Sequence, residues 1–185
     1  MKDHFIKNFK SKKGHEIVIK KIDYVLLFEF NEFLKNFVSK SEDFFQIKKI
    51  IINKSENTNI INIMRLIEDN NCILICGIHN DKIIGFSGLI TDDYKNKGIF
   101  EIFIHKNYRN AGIGKELTQS IIEYSKNIGL KQINLSVRKN NIPAIKLYEK
   151  MGFIKQSRDT NSILYNKKLI TELVMVKQIL NYLPE

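Results

Sequence analysis

The sequence predicts a mixed α/β (α+β) domain: a largely antiparallel central sheet, helices on both faces, and one parallel strand pair around a cleft. Three observations carry that expectation. Two β-rich runs, over 71–78 and 82–91, are separated by Asn80-Asp81, a turn that brings the chain back antiparallel. A strand, a glycine-bearing turn, a helix and a further strand follow between 99 and 138, an order that sets two strands parallel. Apolar residues at helical spacing mark the segments that would cover the sheet.

Taken in order, residues 1–15 are polar and read as a peripheral segment of a single domain covering 1–185. Residues 16–21 alternate around Ile17 and Ile19, as a first strand does. Asp23 is placed to cap a helix over 24–40, in which Leu27, Phe30, Leu34, Phe37 and Val38 form one apolar stripe. Residues 41–57, with Asp43-Phe44-Phe45 and Ile50-Ile51-Ile52, fit either a loop or a short helix. Thr58 is a second cap, ahead of Ile60, Ile63, Met64 and Ile67 on one helix face. Within the 82–91 strand stand Gly85 and Gly88, and glycine weakens a strand. The pair signals either a bulge or room for something lying against the sheet.

A polar loop over 92–98 leads into a strand over 99–105, then a turn, then a helix to about 129 carrying Leu117, Ile121, Tyr124 and Ile128 at intervals of three and four. The next strand spans 131–138. Pro143 suits the first turn of a helix, where its missing N–H costs nothing. Asn141 just ahead can cap that helix or turn its amide to a ligand. Gly152 supplies the left-handed residue that stops it, and Phe153 opens another strand. Residues 159–168 look irregular. A final strand over 170–178 would offer an edge through which a homodimer could form.

Composition narrows the class. A chain of 185 residues is about one domain, and 43% hydrophobic with 27% charged residues suits a packed globule rather than a disordered chain. No apolar run approaches the roughly 20 residues of a membrane-spanning helix, and residues 1–5 lack the apolar core of a signal peptide, so a cytoplasmic, non-membrane protein is expected. Cys72 and Cys76, four apart in one strand, share a face but lie too far apart to bridge, and read as reduced core residues. Net charge is +10, but the lysines are scattered or paired, as in Lys12-Lys13, Lys20-Lys21 and Lys48-Lys49. That pattern points to solvated surface lysines rather than to a nucleic-acid partner.

The turn after the 99–105 strand carries Arg109-Asn110-Ala111-Gly112-Ile113-Gly114-Lys115. Such a turn leaves backbone N–H groups without helical partners at the positive end of a helix, and glycine lets a ligand reach them. This is a phosphate cradle on physical grounds. A Walker loop would need glycine at Arg109 and a hydroxyl at Glu116; a dinucleotide fingerprint would need glycine at Leu117. Both fail.

The remaining pattern, Arg-x-x-Gly-x-Gly between strand and helix, resembles the acetyl-CoA signature of the GNAT acetyltransferases. A second stretch, Asn140-Asn141-Ile142-Pro143-Ala144-Ile145-Lys146-Leu147-Tyr148-Glu149-Lys150-Met151-Gly152-Phe153, is similar to that family's downstream signature. The likeness covers roughly residues 72–177 and is looser before them. It implies that the parallel pair surrounds a coenzyme A cleft, with Arg109, Asn110, Ala111, Gly112, Ile113, Gly114, Lys115 and Asn141 holding the cofactor. It also implies that backbone near Phe103 and Ile104 polarises the thioester carbonyl.

By the same resemblance, Tyr148 protonates the departing thiolate and Glu101 takes the ammonium proton; His105, whose ordinary pKa lies near neutrality, or water is the alternative base. Acetyl-CoA would be the co-substrate, with no metal. The acceptor would be a small-molecule amine or a protein or peptide amine. A polycationic acceptor would call for an acidic pocket, for which Glu29, Glu32, Glu42, Asp43, Asp92 and Asp93 are candidates. Two other classes are a non-catalytic acyl-CoA-binding regulatory module on the same scaffold and, from charge alone, a nucleic-acid-binding protein.

Overall fold

The computed structural model describes residues 6–38, 64–65, 67–69, 71–92, 94–165 and 168–179. Among the described residues the strands and the longer helices follow in the order β1 (Ile6–Lys10), β2 (Glu16–Lys21), α1 (Leu26–Phe33), β3 (Cys72–His79), β4 (Lys82–Thr91), β5 (Lys97–Ile104), α2 (Ile113–Asn127), β6 (Gln132–Arg138), α3 (Ile142–Lys150), β7 (Ile154–Tyr165) and β8 (Lys168–Gln178). The strands are hydrogen-bonded in the order β1-β2-β3-β4-β5-β6-β8-β7. The sheet is mixed and mostly antiparallel, and β5 with β6 is its parallel pair. Contacts divide the chain into two units, residues 1–90 with 101–121 and residues 91–100 with 122–185.

In the first unit, β1 pairs antiparallel with β2 from Ile6↔Lys20 to Lys10↔Glu16, so the expected first strand is the second. Residues 6–10 read as polar because an edge strand needs no continuous apolar face. The hairpin turn between β3 and β4 uses left-handed backbone at Asn80 (φ 48°) and Asp81 (φ 58°), residue types that tolerate it. Helix α1 begins two residues later than predicted. Asp23 does bond a leading N–H, that of Leu26 at 3.0 Å, but residues 24–25 turn before the helix starts. Lys20 Nζ, 2.8 Å from Asp23, holds that carboxyl below its usual pKa. A π-helical turn, Leu34–Val38, continues α1. The side chains of Phe37 and Val38, the 41–57 segment and most of the helix expected after Thr58 lie outside the described residues; 64–65 and 67–68 are helical.

Leu27, Phe30 and Leu34 are buried as the stripe predicts, and Phe33 joins them. With Ile22, Leu74, Phe86 and Phe103 they form one core, its aromatic rings meeting edge to face: Phe30 with Phe86 at 4.9 Å and Phe33 with Phe103 at 5.7 Å. Cys72 and Cys76 are free and buried in it, and burial pushes both thiols up to about 12.

Of the two alternatives for the glycines of this strand, the structure shows a bulge beside Gly85. The pairing of β3 with β4 slips between Gly77↔Gly85 and Ile78↔Ile83, leaving Ile84 as the extra residue of a bulge. What lies against Gly85 is the backbone of β5: a Cβ there would stand 2.7 Å from the Phe103 carbonyl oxygen and 3.1 Å from Ile104 Cα. The Ile84 carbonyl accepts from His105 N–H at 2.8 Å, tying the end of β5 to the bulge.

In the second unit, β5 begins at Lys97, two residues before the expected start, because Lys97, Gly98 and Ile99 pair with Gln132, Ile133 and Asn134 of β6. The parallel register ends there. The loop ahead of β5 is closed by Asp92, whose carboxylate accepts from the N–H groups of Asn96 and Lys97. Two expectations are corrected here. Residues 159–165 are not irregular: β7 runs to Tyr165 and β8 starts at Lys168, paired with each other, with a register shift between Lys155 and Thr160. The strand partner supplies hydrogen bonds that the local sequence does not announce. Nor is the last strand an edge, since β8 lies between β6 and β7, and β7 takes that position. The edge proposed for a dimer is therefore occupied.

Candidate active site

The first unit holds the cradle. After β5, a single 3-10 turn over Lys106–Tyr108 redirects the chain, and Arg109 resumes extended backbone. Asn110 (φ 62°) and Gly112 (φ 92°) are left-handed, which swings the loop into the first turn of α2. Ala111 and Ile113 anchor the loop from beneath, both buried, while Lys115 is exposed and Gly114 partly so. The N–H groups of Lys115 and Glu116 both reach the Gly112 carbonyl, at 3.0 and 3.3 Å. The amides before them belong to the first turn, whose N–H groups have no intrahelical acceptor.

Gly112 faces open space, with only Lys12 Cγ 3.9 Å from where its Cβ would stand. Thr118 and Ser120 donate their hydroxyls back to the carbonyls of Gly114 and Glu116, and Ser87 of β4 donates to the Leu117 carbonyl at 3.4 Å. The helix start is thus tied to the sheet that presents it. Open amides at the positive end of a fifteen-residue helix, with cationic Arg109 and Lys115 beside them, fit a phosphate-bearing cofactor.

Four further predicted residues precede the cradle in the same unit. Phe103 is a core side chain, so a part in holding a ligand would fall to its backbone. Ile104 offers its carbonyl to Arg109 Nε at 3.0 Å, which folds the guanidinium back over the end of β5. Glu101 is half-buried, with one carboxylate oxygen shut off from water, and strand alternation sets it on the Phe103 face. His105 is held below its ordinary pKa, first by burial and then by repulsion from Lys106 and Arg109. Its imidazole is neutral at neutral pH, the form that can accept a proton.

Tyr148 and Asn141 belong to the second unit. Tyr148, on α3, is 6% exposed, with its ring edge-on to Phe100 at 6.1 Å and 5.8 Å from Phe153. The flanking Gly152, left-handed at φ 83°, turns the chain so that Phe153 can join that cluster. Asn141 caps α3: its side-chain oxygen accepts from Ala144 N–H at 3.4 Å, with Pro143 in the first turn. Of the suggested acidic pocket, Asp92 is engaged by its own loop and Glu32 lies 3.5 Å from Lys35 Nζ. Glu42, Asp43 and Asp93 lie outside the described residues. Among the described residues no group of three or more His, Cys, Asp or Glu is placed to hold a metal ion.

A family model described as "Acetyltransferase (GNAT) family" matches residues 35–153, which includes the whole cradle and α3. The chain belongs to the GNAT acetyltransferase family. A GNAT acetyltransferase structure from Streptococcus pneumoniae superposes with a TM-score of 0.76 at 28% identity, covering 88% of this chain and 99% of that one. A Salmonella typhimurium acetyltransferase solved with acetyl-CoA shares the fold at 12% identity, with a TM-score of 0.74 over 91% of this chain and 97% of that one. Among curated relatives, a probable spermine N(1)-acetyltransferase of Bacillus subtilis subsp. natto is 35% identical over 79 residues, 38% of this chain and 52% of its own length. A mycothiol acetyltransferase of Actinosynnema mirum is 27% identical over 79 residues, 43% of this chain and 27% of its own length. The chain thus matches about half or less of the length of these two relatives.

The sequence missed one group of residues at the cradle. The β1–β2 turn rests on it, with Lys12 N–H donating to the Ala111 carbonyl at 3.0 Å and Lys13 Nζ to the Asn107 carbonyl at 3.3 Å. The paired lysines were visible, but nothing local ties positions 12 and 13 to positions almost a hundred residues later.

Proposed function

We propose that this protein is an acetyl-CoA-dependent N-acetyltransferase acting on a small-molecule primary amine. The observation that carries the reading is the Arg109–Lys115 cradle, an open, glycine-lined helix start bearing two cations. Family membership and the curated spermine N(1)-acetyltransferase likeness support it and make a polyamine the first acceptor to test. A spermidine N-acetyltransferase from Vibrio cholerae shares the fold at 18% identity, with a TM-score of 0.70 over 88% of this chain and 93% of that one.

Acetyl-CoA, when bound, supplies an acetyl thioester. The first-turn amides of α2, with Asn110, Ala111, Gly112, Ile113 and Gly114, hold its phosphates, and Arg109 and Lys115 balance their charge. An amine attacks only when neutral, so a base must first take its ammonium proton. Glu101 or the neutral imidazole of His105 fills that role, directly or through water. The new bond joins nitrogen to the acetyl carbon as the carbon–sulfur bond breaks, so the sulfur leaves as thiolate and the nitrogen, cationic after addition, releases its second proton to water, which restores the proton that Tyr148 gives up. Tyr148 Oη carries a proton it can give to that sulfur.

The test is acetyl-CoA binding by calorimetry together with free-thiol release against polyamines, aminoglycosides, lysine and N-terminal peptides. Binding with turnover of one amine class, and a kcat roughly 10²-fold lower in Tyr148→Phe, is the expected result. Binding with no release on any amine would replace the enzyme by a regulatory acyl-CoA module. No binding would refute the cradle reading itself.

A further inference from the structure

We propose that the turn between β1 and β2, through Lys12 and Lys13, binds a phosphate group of the cofactor and orients the cradle that receives it. This rests on the acetyl-CoA reading above and adds to that site a chain segment outside both motifs.

The turn is built to hold its shape. Ser11 is buried, its N–H donates to the His15 carbonyl at 2.8 Å, and its hydroxyl accepts from His15 N–H at 3.0 Å. Gly14, left-handed at φ 82°, closes the turn by donating to the Ser11 carbonyl at 2.9 Å. The same hairpin is fastened to the cradle at two further points. Lys7 Nζ meets Glu116 Oε2 of α2 at 2.5 Å, and the His15 ring packs against Tyr108 with centroids 5.4 Å apart. Lys12 and Lys13 are thereby carried to the loop on a fixed support, although both are exposed.

Two consequences follow from the contact at Ala111. A trans peptide points its carbonyl and the following N–H in opposite directions. With the Ala111 carbonyl held by Lys12 N–H, the Gly112 N–H is turned away from the hairpin, toward the open side of the loop. The second consequence concerns charge. Lys12 Cγ lies over Gly112, 3.9 Å from the position a Cβ would take, so the stem of the side chain crosses the cradle at its glycine. A side chain so placed can bring its ammonium to an anion seated on the amides, and Lys13 Nζ, on the Asn107 carbonyl at 3.3 Å, is held at the start of the same loop. Arg109 is tied through its Nε to the Ile104 carbonyl, so a cation arriving from another element adds to the charge that Arg109 and Lys115 supply.

The ligand chemistry is a phosphate, and coenzyme A carries two kinds, the pyrophosphate and the ribose 3′-phosphate. Lys12→Ala, Lys13→Ala and the double variant keep the backbone N–H and alter exposed positions, and thermal unfolding checks that they remain folded. Calorimetry with acetyl-CoA and with dephospho-coenzyme A, at low and high salt, reads the effect. Lys150→Ala, which removes the same charge from α3, controls for net charge. The expected result is about tenfold weaker acetyl-CoA binding in Lys12→Ala, more in the double variant, with a shallower salt dependence.

If dephospho-coenzyme A binds wild type and Lys12→Ala equally, the contact is to the 3′-phosphate; if the variant weakens both ligands alike, it is to the pyrophosphate. Wild-type binding with no loss in the double variant, or an equal loss in Lys150→Ala, overturns this inference and leaves the cofactor reading standing. Failure of the wild type to bind acetyl-CoA overturns both.

Discussion

Gly85→Ala tests whether the close approach of β4 to β5 sets the position of the cradle. A methyl carbon at residue 85 would stand 2.7 Å from the Phe103 carbonyl oxygen and 3.1 Å from Ile104 Cα. Ordinary van der Waals contact begins near 3.4 Å, so the β5 backbone must retreat by 3.4 − 2.7, or 0.7 Å. The neighbouring hydrogen bond from His105 N–H to the Ile84 carbonyl is 2.8 Å, and an equal displacement would stretch it to 3.5 Å, the edge of bonding. Overpacking of this kind costs about 1–3 kcal/mol. For a domain of this size that lowers Tm by about 2–12 °C.

Gly88→Ala is the matched comparison in the same strand. Its new carbon would meet Leu74 Cδ2 at 3.0 Å, the end of a side chain that can rotate aside, so its expected cost is below about 1 kcal/mol. Differential scanning calorimetry measures both. Because Phe103 and Ile104 lead into the cradle within five residues, acetyl-CoA affinity should fall in Gly85→Ala as well. Equal Tm values for the two variants would refute the argument.

Other outcomes follow from the same geometry. Asn141→Ala removes the cap on Ala144 N–H and should destabilise α3 by about 0.5–2 kcal/mol, at the low end given the 3.4 Å contact, read by urea denaturation. His105, depressed below its ordinary value of 6.5 in the fold, binds its proton more readily when unfolded. Stability should therefore decline as pH falls below about 6.5 and level off below the folded value, and His105→Gln should flatten that decline in Tm measured between pH 8 and 5. Cys72 and Cys76, pushed up to about 12, should resist a thiol-reactive disulfide reagent at pH 8 and react fully in denaturant. Rapid labelling of the folded protein would show that the thiols are reachable.

Much of the fold could be read because its signals are short-range. The β4 limits, Lys82–Thr91, follow from the turn before them and the polar loop after, and the left-handed backbone at Asn80 and Asp81 is a property of those two residues. Helix α3 starts and stops where Asn141, Pro143 and Gly152 place it, since capping and helix termination act within a few residues. The cradle belongs to the same class: glycine spacing, a following helix and a preceding strand are all local, and they appear where the motif puts them.

What the sequence could not announce depends on partners distant along the chain. A polar stretch, Ile6–Lys10, becomes a strand because β2 offers it an open edge. Residues 159–165 become a strand because β8 pairs with them, and β8 is enclosed because β7 lies outside it. Gly85 could be read only as a bulge or a vacancy until β5 backbone was found against it. By itself, then, the sequence determined most of the elements, the cap of α3 and the glycine-bearing loop, all governed by interactions among near neighbours. Only the tertiary structure decided which strands are edges, how closely β4 approaches β5, and that Lys12 meets Gly112 while Lys13 meets Asn107, because these depend on contacts that exist only once remote segments are brought together.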